Sequence, residues 1–175
     1  LFELKGHAQE IAGTFRFAGY SSVLRSVIIP ALIPFLKKHP GVHIDFQSYE
    51  MYELPDVLKT AKADLMVMDY NLQKKGIAEE ALGHEEFVVI ESAKHETPAD
   101  LYLDHGPEDN ATESFFRDQT KAPGFYRRSF MGDVYGIIDG VESGLGRAVM
   151  SKHLIVNNSK IKMVKGSSAY KRPVT

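Results

Sequence analysis

The order of apolar segments between residues 14 and 69 constrains the fold of this chain more than any other feature. Hydrophobic patterns predict strand, helix, strand, helix and strand in turn, over 14–20, 23–40, 42–49, 53–62 and 64–69. Strands that alternate with helices are joined by right-handed crossovers and lie parallel in one sheet. The last strand is a continuous apolar run between aspartates, which is typical of a strand buried on both faces. We therefore expect an α/β fold.

A second α/β pattern follows a change in composition near residue 92. Residues 93–112 are rich in Lys, Glu, Asp, Pro and Gly, which favours a domain boundary nearby. The remaining patterns predict strands at 77–82, 87–92, 101–103, 124–131 and 147–151, helices at 112–122 and 133–144, a last helical turn at 153–156 and the start of a strand at KRPVT.

The predicted helix after the first strand carries two adjacent apolar stripes, which indicate a broad face buried on a sheet. The prolines at 30 and 34 each remove a hydrogen-bond donor, so we expect the helix to kink or restart there. Ser21 and Ser22 stand where a helix N-cap is needed, and a ligand site at the same place is an equally good interpretation. The stripes are Val23, Val27, Ala31 and Phe35, and Leu24, Ile28, Leu32 and Leu36.

Three glycines lie within residues 140–146, GVESGLG. A phosphate-binding loop needs such glycines after a strand and before a helix, whereas a helical stripe of apolar residues precedes them here. We therefore expect Gly144 to end that helix in the left-handed conformation, and Gly146 to lead into the strand at 147–151.

The formal net charge is −2, from 21 basic and 23 acidic residues. This balance provides no electrostatic footprint for nucleic acid, which requires clustered Lys and Arg. The densest basic cluster, Arg127 and Arg128, is interpreted as exposed charge on a strand. No apolar run approaches the roughly 18 residues that span a bilayer, so we expect no membrane partner.

Metal-binding patterns are weak. His39 and His43 have the spacing of a helical zinc pair, but Pro40 and Gly41 between them break any helix. The chain contains no cysteine, which excludes disulfides and thiolate ligands and is compatible with a reducing cytoplasm. We expect no metal site and no cofactor.

Motifs of enzymes are equally weak. The nearest approach to a serine-hydrolase elbow, around Ser143, has the wrong spacing, and no lysine follows a glycine-rich Walker frame. We therefore expect no catalytic residue. A small transferase that uses Asp69, His105 and Glu142 is the alternative of this class.

Small polar and aromatic residues follow several predicted strands. In an open parallel sheet, ligands bind outside the carboxyl ends of the strands. A helix start there presents free N–H groups and a positive dipole end to an anion, whereas Glu50 and Asp69 favour a cation or a polyol. The candidates are Tyr20, Ser21 and Ser22; Tyr49, Glu50 and Met51; Asp69 and Tyr70; Asp104, His105 and Gly106; and Phe130, Met131 and Gly132.

The stretch FRFAGYSSVLRSVIIPALIPFLKKHPGVHIDF, followed by ADLMVMD, resembles the effector-binding domain of LysR-type transcriptional regulators. That family has an L-R-I-G strand, a serine-bearing helix, an L-P-x-x-L-x-x-F-x-x-x-x-P-x-V run and a G-x-x-D-hydrophobic strand. In the second half, GVESGLGRAV is similar to the family pattern V-x-x-G-x-G-I-x-x-x-P. Arg147 and the lack of a proline near Ser151 depart from it.

The resemblance implies two Rossmann-like lobes joined by crossing hinge strands, a type 2 periplasmic-binding-protein-like fold. Residues 13–86 would form lobe 1, with 167–175 as the start of the return segment, and 87–166 would form lobe 2. Residues 1–12 would be the tail of a linker helix. The last helix of the first lobe would follow Thr175.

The resemblance also implies a function. A small effector would bind in the interlobe cleft and change the geometry of a cytoplasmic homodimer or tetramer, which would contact DNA only through an upstream winged helix-turn-helix. A periplasmic-type solute-binding protein for transport is the alternative. The expected effector contacts are Tyr20, Ser21, Ser22, Tyr49, Glu50, Asp69, Tyr70, Gly106, Phe130 and Met131.

Overall fold

The chain divides into two compact units, Leu1–Ile77 (unit 1) and Ala78–Thr175 (unit 2). A computed structural model describes residues 11–166 and 170–175. The predicted linker-helix tail lies mostly outside the described residues, and Ile11 and Ala12 belong to neither helix nor strand. The predicted lobe boundary between residues 86 and 87 falls inside a continuous strand, and the membership of the lobes stays a prediction.

Helices and strands alternate along both units. In chain order the elements are β1 Gly13–Gly19, α1 Ser21–Val23, a π-helical segment Leu24–Ile28, α2 Ile29–Lys38, β2 Val42–Ser48, α3 Leu54–Lys59, β3 Leu65–Met66, β4 Gly83–Ser92, β5 Leu101–Asp104, α4 Ala111–Arg117, β6 Arg127–Phe130, α5 Val134–Glu142, β7 Ala148–Ser151, a 3-10 turn Lys152–Leu154, β8 Ile161–Met163 and β9 Tyr170–Val174. We call residues 21–38 the first helical segment, because α1, the π-helical segment and α2 are continuous.

Unit 1 contains the predicted parallel sheet, in the order β2-β1-β3. Arg16 on β1 and Asp64 before β3 reinforce this sheet, since the backbone N–H and the guanidinium of Arg16 both donate to the Asp64 carboxylate, at 2.8 and 2.7 Å. These hydrogen bonds lower the pKa of Asp64 to about 2. Because the strands are parallel, their carboxyl ends lie at one edge of the sheet.

The first helical segment does not bury the broad face that its stripes predict. Ser22, Val23 and Leu24 are buried, but α2 has no buried residue, and Ile33 and Phe35 are exposed. The prediction of a broad buried face is wrong because this segment covers the sheet only with its first turn. An apolar surface of α2 is left open to other contacts.

The expected irregularity in this segment is confirmed. Pro30 has no N–H group and cannot donate to the carbonyl four residues earlier, that of Ser26. Residues 24–28, just before this missing bond, form a π-helical turn, and Pro34 lies inside α2. The Ser26 hydroxyl donates to the Ser22 carbonyl at the same place.

The strand predicted at 64–69 is present but shorter, and the strand predicted at 77–82 does not form. Of residues 64–69 only Leu65 and Met66 pair with β1; Leu65 is exposed, whereas Val67 and Met68 are buried. Residues 77–82 form no strand. This segment includes Glu79 and Glu80, which are both exposed. The hydrogen-bonded ladder of the next strand begins only at Gly83.

Unit 2 is built on the ten-residue strand β4. The first half of β4 pairs antiparallel with β9, and the second half pairs antiparallel with β7 and β8. Strands β5 and β6 form a parallel pair. Backbone hydrogen bonds from Leu103 N to Arg147 O and from Arg147 N to Leu101 O join that pair to the segment before β7.

The glycines of GVESGLG shape the packing of α5 in unit 2. Gly144 has φ +78° and its N–H donates to the Val141 carbonyl, so the predicted left-handed helix stop is confirmed. Gly140 is buried in α5, and a Cβ there would lie 2.7 Å from Leu103 Cδ1. The segment therefore serves close packing, and β7 follows it as predicted.

Candidate functional site

Two predicted residues of unit 1, Tyr20 and Tyr49, meet at the carboxyl ends of β1 and β2. The Tyr49 N–H donates to the Gly19 carbonyl over 3.1 Å, which continues the parallel ladder by one step. Both tyrosines are partly buried against one hydrophobic cluster that includes Leu54 and Met68. They supply aromatic surface beside the helix start that follows β1.

The first helical segment begins without a cap. Its N-cap residue is Tyr20, which provides no side-chain cap hydrogen bond, so the prediction that Ser21 or Ser22 caps the helix is wrong. Ser22 is 8% exposed, Ser21 is exposed, and within the described part of the chain neither hydroxyl has a hydrogen-bond partner. The first N–H groups of a helix have no partner within it, so N–H and O–H donors are together here at the positive end of the helix dipole.

Acidic residues follow β2 and β3 in the same unit. Glu50 is exposed, and its N–H donates to the Glu53 carboxylate at 2.9 Å. Asp69 is half-buried and is followed by Tyr70, whose pKa is raised by burial and by the negative charge of Asp69. Carboxylates at these strand ends favour a cationic or hydroxyl-rich group.

The predicted residues of unit 2 lie at the carboxyl ends of β5 and β6. Met131 N donates to Asp104 O, and Gly132 N donates to His105 O, each over 2.9 Å, so the two strand ends are joined. Phe130 is 48% exposed. Met131 packs partly buried against the main core cluster of this unit. Gly106 has open space where a Cβ would point.

The start of α5 in unit 2 is occupied by the protein itself. The Asp133 carboxylate accepts hydrogen bonds from Tyr135 N at 2.7 Å and Gly136 N at 2.9 Å. The N–H groups of Gly136 and Tyr135 hold the pKa of Asp133 below its usual value. The carboxylate thus fills the place that an anionic ligand would take at this helix start.

An ionic network that sequence reasoning missed lies directly behind these strand ends. Asp104 is 1% exposed and accepts hydrogen bonds from Thr112 Oγ1 and Arg128 Nε. Burial raises the pKa of Asp104, against the opposing effect of these hydrogen bonds. Arg127 is exposed as predicted, whereas Arg128 is mostly buried, so the interpretation of exposed charge is wrong for Arg128. An aspartate at the end of the apolar run LYLD was the only available signal.

Arg147, which departs from the expected pattern, has a structural partner. Its Nη2 lies 2.7 Å from Glu91 Oε2, and Lys162 pairs with the same carboxylate. Burial raises the pKa of Glu91, but the hydrogen bonds from Arg147 and Lys162 outweigh it and leave the pKa lowered. Arg147 therefore ties the segment before β7 to β4, and Lys162 of β8 shares the same carboxylate.

The arrangement does not favour the alternative catalytic set in unit 2. Glu142, the last residue of α5, accepts from Lys160 Nζ and Asn158 Nδ2, each at 2.7 Å. His105 adjoins Gly132, near the other end of that nine-residue helix, and the two ends are about 13 Å apart at 1.5 Å per residue. Among the described residues, no three His, Asp or Glu side chains are grouped to hold a metal ion.

A cavity of about 380 Å³ lies in unit 2, away from the predicted residues. It is lined by His84, Glu85, Glu86, Lys152, His153 and Val156. Glu85 Oε1 lies 2.7 Å from His153 Nε2 and also accepts from Ser151 Oγ, so the buried carboxylate is satisfied by the protein.

No helix in the described residues is long and apolar enough to cross a membrane.

The chain was compared with families, curated proteins and solved structures. A model of the LysR substrate binding domain matches residues 8–174. No curated protein matched the sequence. CrgA, a LysR-type transcriptional regulator from Neisseria meningitidis, is 20% identical with a TM-score of 0.75 over 93% of this chain and 60% of CrgA. The chain thus spans less than two thirds of that protein.

Two further solved structures have the same fold. The reduced OxyR regulatory domain from Pseudomonas aeruginosa is 18% identical, with a TM-score of 0.73 over 94% of this chain and 88% of that chain. Full-length LysG from Corynebacterium glutamicum, solved with bound effector arginine, is 14% identical, with a TM-score of 0.70 over 92% of this chain and 59% of LysG.

The matched family model covers nearly all of the chain, and the solved structures share its α/β architecture. The expectation of a type 2 periplasmic-binding-protein-like fold is therefore confirmed. The chain belongs to the LysR substrate-binding domain family, the ligand-sensing regulatory domains of LysR-type transcriptional regulators.

Proposed function

We propose that a small effector binds at the start of the first helical segment, with one of its anionic groups held by the N–H groups of residues 21–23 and by the hydroxyls of Ser21 and Ser22. The uncapped start of this segment carries the proposal, because donors without a partner are otherwise costly at a sheet edge. Tyr20 and Tyr49 supply the adjoining walls. At the start of α5 in unit 2, by contrast, the Asp133 carboxylate already accepts hydrogen bonds from the first N–H groups of the helix.

The other predicted contacts determine which further chemical groups the effector would carry. Glu50 and Asp69 would attract an ammonium group, and Tyr70 would add apolar surface. Gly106, Phe130 and Met131 of unit 2 would supply the opposite wall. An α-amino acid carries both a carboxylate and an ammonium group, and the arginine bound to LysG belongs to this class. We therefore favour an amino acid or a similar zwitterion.

The regulatory mechanism we propose is a shift between populations of lobe arrangements. The effector favours the arrangement that it binds more tightly, and it shifts the equilibrium only by that difference in affinity. The protein would act as a cytoplasmic homodimer or tetramer, with DNA held by an upstream winged helix-turn-helix. The exposed apolar side chains of α2, such as Ile33 and Phe35, support an oligomer. No catalytic step is part of this proposal.

A thermal-shift screen tests the effector site. The panel contains amino acids, small carboxylates, phosphates and nucleotides, with L-arginine as the first member. At a concentration one hundred times its Kd, a true effector stabilises the chain by about 2.7 kcal/mol, which raises the melting temperature by roughly 5 to 10 °C.

Two variants make the screen specific. Ser22→Ala removes one proposed donor and should reduce the shift of any hit by more than half. Ser159→Ala removes an exposed hydroxyl in unit 2 and should leave the shift unchanged. An undiminished shift in Ser22→Ala would place the ligand elsewhere, whereas a panel without any hit would refute the favoured ligand class.

A further inference from the structure

The loop at residues 105–110, between β5 and α4, carries Gly106 and is held from both sides. The Asp109 carboxylate accepts from His105 N at 3.1 Å and from Ala111 N at 2.8 Å, which fixes the loop internally. The Asp109 carbonyl accepts a hydrogen bond from Arg128 of β6. Strand β6 therefore anchors one side of this loop.

Asn110 supplies a second anchor. It occupies the N-cap position of α4, where an asparagine side chain usually accepts a hydrogen bond from its own helix. Its side chain makes no such bond. Instead its Oδ1 accepts from Nη2 of Arg172, 62 residues away, over 2.9 Å.

Arg172 lies on β9, and its side chain is held by contacts with two aromatic rings. Its guanidinium carbon lies 5.3 Å from the centre of the Phe87 ring and 5.6 Å from that of Tyr170, both within cation–π range. Phe87 and Tyr170 are direct cross-strand partners on β4 and β9. The side chain that reaches Asn110 is thus fixed to both strands.

We call the paired residues 83–87 and 170–174 the β4–β9 ribbon. Residues 83–86 of β4 pair, in the described ladders, with β9 alone, whereas the rest of β4 is bound to β7 and β8. The ribbon begins six residues after Ile77, the last residue of unit 1. It is therefore the part of the unit 2 sheet that is nearest in sequence to the boundary between the units and the least supported by other strands.

We propose that Arg172 is a positioning residue that couples the loop at residues 105–110 to this ribbon. Through Asn110 it ties residues 105–110, and with them Gly106, to β4 and β9, so that a displacement of the loop reaches the ribbon. The importance of Gly106 for the effector rests on the proposed function. The mechanical link between loop and ribbon does not depend on any ligand.

Amide hydrogen exchange of the ligand-free chain tests the link. Asn110→Ala removes the acceptor and leaves Arg172 over its rings. We expect exchange to become about fivefold faster, both in residues 105–110 and in the ribbon, as for the loss of one net hydrogen bond. Asn110→Asp retains an acceptor and should restore the exchange of wild type. Circular dichroism verifies that each variant is folded.

Glu108→Ala is the matched control, because Glu108 is exposed in the same loop and has no hydrogen bond or ion pair with any residue that the structure describes. It should leave exchange in the ribbon unchanged. A purely local role of Asn110 would accelerate exchange in the loop and in α4 only, and that result would overturn the proposal, as would failure of Asn110→Asp to restore the ribbon. Since no ligand is used, neither result bears on the proposed effector site.

Discussion

Two of the helices that follow parallel strands, one in each unit, differ in how their starts are capped and in how much of their surface is buried. The first helical segment of unit 1 starts without a cap, and beyond Leu24 it buries no residue. Helix α5 of unit 2 starts under the Asp133 carboxylate and buries Ile137, Gly140 and Val141. Both helices directly follow a strand. The N–H donors and the apolar face of α5 are satisfied within unit 2, whereas the first helical segment is left with free donors and an open apolar face.

This difference separates scaffold from binding surface. A helix whose donors and apolar face are already satisfied gains little from a ligand, whereas unpaired donors and exposed apolar side chains gain from being covered. We therefore propose that the effector binds at the start of the first helical segment and that α2 makes further contacts of the protein. Helix α5 holds the second strand-end region in place.

Truncation of one isoleucine in each helix should give the largest difference in stability between the two helices. Ile137 of α5 is 4% exposed, whereas Ile33 of α2 is 42% exposed. Ile137→Ala should lower the free energy of unfolding by about 2 to 5 kcal/mol, because it leaves a cavity. Ile33→Ala should change it by less than about 1 kcal/mol in the dilute chain. Urea denaturation measures both, and equal losses would contradict the assignment of α5 as the scaffold.

A glycine pair tests the turn that ends α5. Gly144→Ala places a side chain at φ +78° and a Cβ 2.6 Å from His95 Cβ. We expect a loss of about 1 to 3 kcal/mol, since the left-handed conformation and the close contact both add strain. Gly124→Ala, in a loop with nothing within 4 Å of the new Cβ, is the control and should stay within about 0.5 kcal/mol of wild type. Equal melting curves for both variants would refute the structural role of the turn.

The two helix starts can also be compared through pH. The pKa of Asp133 is lowered in the folded chain, so its stabilising effect is present above the unfolded pKa of about 3.9 and is lost as the pH falls through the folded pKa. Asp133→Ala should lower the melting temperature by about 2 to 4 °C at pH 7 and progressively less below pH 4. Ser22→Ala, which removes no cap hydrogen bond, should have a smaller effect at every pH. A constant difference between Asp133→Ala and wild type down to pH 2 would show that charge at Asp133 is not involved.

Much of the fold was predictable because each element is encoded locally. The parallel order in unit 1 follows from alternating strand and helix patterns, and the strand ends marked by Tyr20 and Tyr49 do lie side by side. The stop at Gly144 followed from a helical stripe ending in glycine. These features depend on residues that are neighbours in the sequence, so they can be predicted from a single sequence.

The remaining features depend on contacts between distant residues. No residue near Arg128 in the sequence indicates that its side chain binds Asp104. No residue near Arg172 indicates that its side chain binds Asn110. The stripes of the first helical segment predict an amphipathic helix, but not how much of it the unit covers. The absence of a cap at Ser21 and Ser22 depends on backbone geometry, since serine is a good cap residue.

A crystal structure of the chain with a hit from the thermal-shift screen tests the central claim most directly. We predict that a carboxylate or similar anionic group of the ligand lies about 3 Å from the N–H groups of residues 21–23 and from the hydroxyls of Ser21 and Ser22. The Asp133 carboxylate should remain bonded to Tyr135 and Gly136. A ligand whose anionic group lies at the start of α5, or which leaves the N–H groups of residues 21–23 without contact, would contradict the assignment.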